Sequence, residues 1–90
     1  MSILLITYDL NKPGQDYTKL FEIIKTAPKW WHYLDSTWLI STQETPSKWF
    51  DKLKPSLDEN DNIFIVDITK QPRQGWLPKK AWEWIRENEK

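Results

Sequence analysis

The chain has no cysteine, only two glycines and a single histidine among its 90 residues, and no excess of charge of either sign. Without cysteine there are no disulfide staples, no thiolate zinc sites and no cysteine nucleophile. A lone histidine cannot build a multi-histidine metal site. Thirteen basic residues balance thirteen acidic ones, which weighs against a strong non-specific nucleic-acid binder, since such proteins usually carry a basic excess. A local basic patch drawn from Lys12, Lys29, Lys52, Lys54, Lys79 and Lys80 stays open, beside the plainer reading that these lysines solvate helix faces. Long apolar runs are missing too. Ile3-Leu4-Leu5-Ile6 is far shorter than the ~20 residues that span a bilayer and lacks the basic flank of a signal peptide. A soluble, cytoplasmic protein without a membrane partner is expected. No HExxH, P-loop, GxGxxG or GxSxG motif occurs, and neither Ser36 nor Ser41 has a His–Asp relay readable in sequence.

What is abundant is tryptophan, with seven. A chain of this length makes one domain, residues 1–90, and buries roughly 65% of the surface its unfolded form exposes. Tryptophan serves such a small core well because each ring buries a large area. The competing reading is a stacking platform for single-stranded nucleic acid, for which Trp30-Trp31 beside Lys29, and Trp76 near Arg73, have the right composition. A neutral, aromatic-rich chain also points to self-association.

Residues 3–9 read as a strand apolar on both faces, hence central. Asn11-Lys12-Pro13-Gly14-Gln15 is a turn-rich loop in which glycine supplies a positive φ. Asp16 then caps a helix near 16–26, with Tyr17, Leu20, Phe21 and Ile24 on its buried stripe and Pro28 stopping it. Residues 30–34 and 37–42 form a hairpin about Asp35-Ser36. Thr45-Pro46 opens a second helix, with Trp49, Phe50 and Leu53 on its buried side and Pro55 at its end. Residues 62–68 form a fourth strand. Leu77-Pro78 opens a terminal helix with Ala81, Trp82 and Ile85 as an apolar stripe and Trp84 displaced from it.

This order predicts an α+β, ferredoxin-like β-α-β-β-α-β sheet over residues 3–68 with a tryptophan-rich tail and additional C-terminal helix over 69–90. Both long helices would lie on one face. The other face needs a cover: the terminal helix, a partner subunit, or both. With strands one and three taken as parallel neighbours, Asp9, Ser41, Thr42, Asp61 and Asn62 are expected to cluster at one edge. Asp9, ending an apolar strand and facing the loop, suits either a hard divalent cation or a loop-capping acceptor of backbone hydrogen bonds. His32 suits either a general acid–base or a packed strand imidazole.

The segment Leu5-Ile6-Thr7-Tyr8-Asp9-Leu10 resembles the Tyr-Asp ending of the first strand in the small CRISPR-associated adaptation protein, the non-integrase partner. Tyr33-Leu34-Asp35-Ser36-Thr37-Trp38 resembles the aromatic-x-x-Ser-x-aromatic hairpin of that family. YDLNKPGQDY with WWHYLDSTWLI is more similar still to short bacterial and phage proteins labelled SinR-family, of which the VapD toxin ribonucleases look like more distant members. The resemblance covers about residues 3–68. It implies a ferredoxin-like homodimer and a metal-dependent phosphodiesterase, an endoribonuclease or cyclic-oligonucleotide hydrolase, whose Asp9 binds Mg²⁺ or Mn²⁺ at the dimer seam. Ser36 would match the hairpin serine. Some members of the superfamily serve only as dimeric scaffolds. The chain departs from the adaptation proteins in lacking their arginine cluster, since residues 11–20 hold only Lys12 and Lys19 as basic groups. Its tail is a tryptophan-rich helix and not a swapped strand.

Two functional expectations follow. One is a phosphodiesterase in which Asp9 helps hold the metal, Asn11 and Lys12 steer the phosphate and His32 acts as acid or base, with RNA, DNA or a cyclic nucleotide as substrate. The other is a non-catalytic dimeric binding or scaffold module in a phage-defence or toxin-type system. A third, narrower role is protein contact through the tryptophan-rich tail.

Overall fold

The computed structural model describes residues 1–12 and 14–89, so Pro13 of the first loop and the terminal Lys90 lie outside the described residues. The elements in chain order are β1 (Ser2–Asp9), α1 (Thr18–Ile24), β2 (Lys29–Leu34), β3 (Thr37–Thr42), α2 (Pro46–Leu53), β4 (Asn62–Asp67) and α3 (Lys79–Asn88), with a 3₁₀ turn at Lys54–Ser56. The strands make one sheet in the order β2-β3-β1-β4, antiparallel at every neighbouring pair. The described residues are thus α+β, with a four-stranded antiparallel sheet and three α-helices. Among the described residues no helix is long and apolar enough to cross a membrane.

β1 and β3 are antiparallel, not parallel as expected, and the hairpin is the reason. The α1 crossover returns the chain parallel to β1 as β2, and the tight turn at Asp35-Ser36 then reverses it, so β3 must oppose β1. The register pairs Ser2 with Thr42, Ile3 with Ser41 and Thr7 with Thr37. Ser41 and Thr42 therefore sit at the end of the sheet away from Asp9. Both are buried. Thr42 Oγ1 accepts hydrogen bonds from Trp49 Nε1 and the Glu44 amide, each 3.1 Å, which makes it a structural residue.

α1 is shorter than its apolar stripe suggests. Asp16 Oδ1 accepts from the Thr18 amide at 2.9 Å, turning the chain two residues ahead of the helix. At the far end the Thr26 and Ala27 amides fold back onto Ile23 and Ile24 carbonyls, ending the helix before Pro28 forces the backbone extended. α2 begins as expected: Thr45 accepts from the Lys48 amide at 3.2 Å with Pro46 in the first turn. Gly14 takes its expected positive φ of 78°.

Alternation along the strands divides the core in two. Leu4, Ile6, Trp38 and Ile40 pack under Leu20, Ile24, Trp49 and Leu53 of α1 and α2. Ile3, Leu5, Trp31 and Leu39 point the other way and meet Leu77, Trp82, Trp84 and Ile85. The second face is thus covered in part by α3, giving three layers. Trp84 belongs to that contact and is not displaced from it. Phe50, expected to be buried, is 39% exposed. Trp49 and Leu53, four positions apart, fill the helix–sheet contact, and Phe50 is turned toward the β4 edge beside Ile63 and Phe64.

Candidate functional site

The residues singled out in the sequence gather at the hairpin end of the sheet but not on one face. Asp9 ends β1 opposite Asn62. Its side chain follows Ile3, Leu5 and Thr7 onto the α3 face, beyond the reach of α3, and is exposed. The Ser36 carbonyl accepts from the Tyr8 amide at 3.1 Å, which ties the hairpin turn to the same end.

Asn11 and Lys12 are held in a loop–loop clamp. Asp61 Oδ1 accepts from the Asn11 amide and from the Tyr17 hydroxyl, each at 2.7 Å, and Oδ2 accepts from the Asp58 amide at 2.8 Å. Asn11 Nδ2 donates to the Asn60 carbonyl, and Lys12 pairs with Asp58 at 3.4 Å. Desolvation opposes the Asp61 carboxylate, but the Asp58 and Asn11 amides, the Tyr17 hydroxyl and Lys12 outweigh it and hold its carboxyl below the usual range. The Tyr17 hydroxyl is pushed up, first by desolvation and then by the bond it donates to that carboxylate. The clamp joins the β1–α1 loop to the turn before β4.

His32 lies on the opposite face from Asp9. Its ring stacks on Trp38 at 3.7 Å between centroids and 13° between planes, while Nε2 meets the Asp35 carbonyl at 3.1 Å. Trp38 is 1% exposed and is the hub of this face. Trp30 and Phe21 pack on it, and its Nε1 donates to Tyr8 Oη at 3.0 Å. Partial burial, and then the Asp35 charge, push the Tyr8 hydroxyl up against the stabilising indole N–H. His32 thus stacks on the Trp38 cluster while the residue stays exposed, and it lies away from the Asp9 carboxylate.

On the α3 face, the half of the sheet that α3 does not cover forms a strip. The register lines up Leu34, Thr37, Thr7 and Phe64 across all four strands. Thr7 and Thr37 hydroxyls are bonded at 3.1 Å in the middle. Tyr33, stacked on Trp31, and Phe64 stand at the two edges, 64% and 63% exposed. Asp9 and Asn62 form the next pair along, flanking a shallow depression of about 270 Å³ over Thr7 and Phe64.

Beside the strip, a cleft of about 370 Å³ opens between the sheet and the tail. Leu5, Leu39 and Ile85 lie along it, with Trp31, Trp82 and Trp76 at its sides. The tail is fixed by Arg73, whose Nη2 donates to Glu89 Oε2 and, at 2.9 Å, to the Ile68 carbonyl. The Lys70 amide donates to the same Glu89 oxygen at 2.6 Å. Arg73 first, and then the Lys70 amide, hold the Glu89 carboxyl below its ordinary range against some desolvation.

Sequence reasoning missed this strip. Phe64 sits inside the continuous apolar run Ile63-Phe64-Ile65-Val66, which reads as burial on both faces. Yet Val66 is half-buried and Phe64 is exposed. Trp76 carried a usable signal: a large aromatic directly after Gly75 in a loop has few ways to be buried.

A resident divalent ion would find one carboxylate here, Asp9, with the Asn62 side chain opposite. Among the described residues no three His, Cys, Asp or Glu side chains stand close enough to share a metal. A hard cation prefers about six oxygen ligands, so this donor set within one chain does not fit a protein-built cage.

Comparison with known proteins gives no family-model match, no match among curated proteins and no match among solved structures.

Proposed function

We propose that this chain is a ferredoxin-like, homodimeric binding module that takes short single-stranded nucleic acid on the open strip of its sheet. The fold reading is supported by the interleaving of its two β-α-β units, each with one strand of the other between its parallel strands. The functional reading is carried by one observation: two uncovered aromatic rings, Tyr33 and Phe64, flank the Thr7–Thr37 hydroxyl pair on an otherwise open sheet surface. Every base has a π face, and stacking on an aromatic side chain is worth ~1–3 kcal/mol per base. The two rings stand on the outer strands, three strand spacings or about 14 Å apart, too far for one base or two neighbouring ones and suited to bases with a nucleotide between them. The threonine hydroxyls between them are donors and acceptors for a sugar or base edge.

The neutral composition fits weak, salt-tolerant binding, because few phosphates are neutralised and few counterions released. Affinities of Phe64→Ala and Tyr33→Ala for a short single-stranded oligonucleotide test the reading. Each variant is expected to lose about fivefold or more, from the lower end of the stacking range. Unchanged affinity in both would refute it.

A second reading, a phosphodiesterase that uses Asp9, is favoured by the exposed position of Asp9 and Asn62 on the same strip. Because one chain offers one carboxylate, this reading needs Asp9 from both subunits at a shared seam. Cleavage of RNA or cyclic oligonucleotides that depends on Mg²⁺ or Mn²⁺ and is lost in Asp9→Asn would favour it over pure binding.

A further inference from the structure

The cleft between the sheet and the tail opens directly off the strip. Leu34 and Thr37 belong to both. Trp31, Leu39 and Leu5 form the next row of the same sheet face, beside Leu34, Thr37 and Thr7. On β1 and β3 the two rows lie two residues apart, about 7 Å, within reach of the neighbouring nucleotide of an extended strand. Tyr33, the strip's ring on β2, stacks on Trp31 of the cleft wall at 5.6 Å between centroids and 17° between planes. A strand that lies on the strip and turns past Tyr33 therefore meets the cleft mouth. Trp76 stands there, 100% exposed, on a loop that Arg73 pins to the Ile68 and Gln71 carbonyls and to Glu89.

We propose that the cleft is a nucleobase subsite, which takes one purine of the same single strand that lies on the strip. This rests on the nucleic-acid reading above and gives that strand its next contact. The cleft measures about 370 Å³. A cavity of about 150 Å³ already accepts a benzene ring, so a base of two fused rings has room. The walls suit a flat ring: Trp31 and Trp82 stand at the sides, Leu39 and Ile85 lie along the cleft, and Trp76 offers an indole at the mouth to stack on a seated base.

Charge selects the base over the phosphate. Arg73 is the charged residue of the cleft wall, and it is paired with Glu89. Among the described residues the wall thus offers a phosphate no unpaired cation. A donor for a base edge is present. Gln74 Oε1 accepts from the Gly75 amide at 3.0 Å, which leaves the side-chain N–H₂ to donate to a ring nitrogen such as purine N7. A purine also presents a larger face to the indoles than a pyrimidine, and stacking strength is what sets base preference on such platforms. Trp76 acquires a role here that the fold does not give it, since a wholly hydrated indole adds no burial to the core.

The test titrates the full chain, with its amides and isoleucine methyls labelled, with a trinucleotide and a hexanucleotide of deoxyadenosine. The trinucleotide is long enough for the strip alone. It should shift the Thr7 and Phe64 amides and leave the Ile85 methyl unmoved. The hexanucleotide should shift both at one common midpoint. Trp76→Ala is expected to weaken hexanucleotide binding at least fivefold, the lower end of what one stacked base contributes, and to remove the Ile85 shift. Trp76→Phe, which keeps a flat ring, should retain both. The side chain is exposed, so thermal midpoints should match. Strip shifts without an Ile85 shift, or a hexanucleotide affinity untouched by Trp76→Ala, overturn the subsite and leave the strip reading standing. No shift at either place overturns both. An Ile85 shift with a silent strip overturns the shared strand path together with the strip reading. A ring-current shift at Ile85 that Trp76→Ala abolishes in the absence of oligonucleotide would mean that the ring fills its own cleft, which also overturns the subsite.

Discussion

The imidazole of His32 and the indole of Trp38 lie face to face, 3.7 Å between centroids and 13° from parallel. The stack assigns His32 to the aromatic cluster of the α1/α2 face and removes it from the neighbourhood of Asp9. Aromatic pairs add about 0.5–1.5 kcal/mol beyond their area burial. His32→Ala is expected to lose an amount of that order in urea unfolding, while His32→Phe, which keeps a flat ring, stays within a few tenths of wild type. Equal losses in both variants would show that the ring stack contributes nothing.

Tyr8 and Trp38 form the polar bond of the same cluster. Tyr8→Phe deletes the acceptor of the Trp38 Nε1 hydrogen bond, 3.0 Å in length, and strands a donor on a residue that is 1% exposed. A loss of about 1–2 kcal/mol is expected, measured against Tyr33→Phe, whose hydroxyl lies in an exposed side chain. Because burial and the Asp35 charge raise the Tyr8 hydroxyl, its ultraviolet titration should also run above the ordinary tyrosine range.

Asp61 makes stability depend on acidity. Its carboxyl is held below the ordinary aspartate range by the Asp58 and Asn11 amides, the Tyr17 hydroxyl and Lys12, against desolvation. A carboxylate with a depressed folded-state pKa contributes stability above its unfolded pKa and loses it as pH falls through the folded value. Unfolding should therefore become easier as pH drops below about 4, and Asp61→Asn should be less stable than wild type at neutral pH with a flatter acid limb. Asp16, Asp67 and Glu89, whose carboxyls are lowered by their own partners, leave a residual slope in the variant. An unchanged acid limb would show that the clamp does not depend on the ionised carboxylate.

Glu89 holds the C-terminal end of α3 to the loop through Arg73 and the Lys70 amide. Glu89→Gln removes the charge and keeps an acceptor. Amide exchange in α3 is expected to speed up, with the β1 and β3 amides unchanged, since local opening is governed by the contacts of the opening unit. Exchange that rises equally throughout the sheet would mean that α3 unfolds only with the whole domain.

The sequence made the elements legible where local chemistry is strong. Thr45-Pro46 marked the start of α2, the Asp35-Ser36 turn marked the hairpin, and the continuous apolar run marked β1 as a buried central strand; the same signal misled for β4, an edge strand with no fully buried residue. It did not make strand direction legible without tracing each reversal, and the parallel assignment of β1 and β3 misplaced Ser41 and Thr42. Burial at strand ends was equally hidden. Val66 and Phe64 look alike in sequence, yet one is half-buried and the other exposed. For the candidate site, period-two alternation along β1 puts Asp9 on the Ile3 face, whereas His32 falls on the other. The open strip emerges only from the register, which aligns residues from all four strands.

The most direct test of the binding account is an amide-resolved titration of the ¹⁵N-labelled protein with a short single-stranded oligonucleotide, repeated with Phe64→Ala. The account predicts saturable shifts confined to Tyr33, Thr37, Thr7, Phe64 and their strand neighbours, weakened in the variant while its thermal midpoint holds. Shifts confined to another surface, no shifts at all, or an unweakened response in the variant would contradict it.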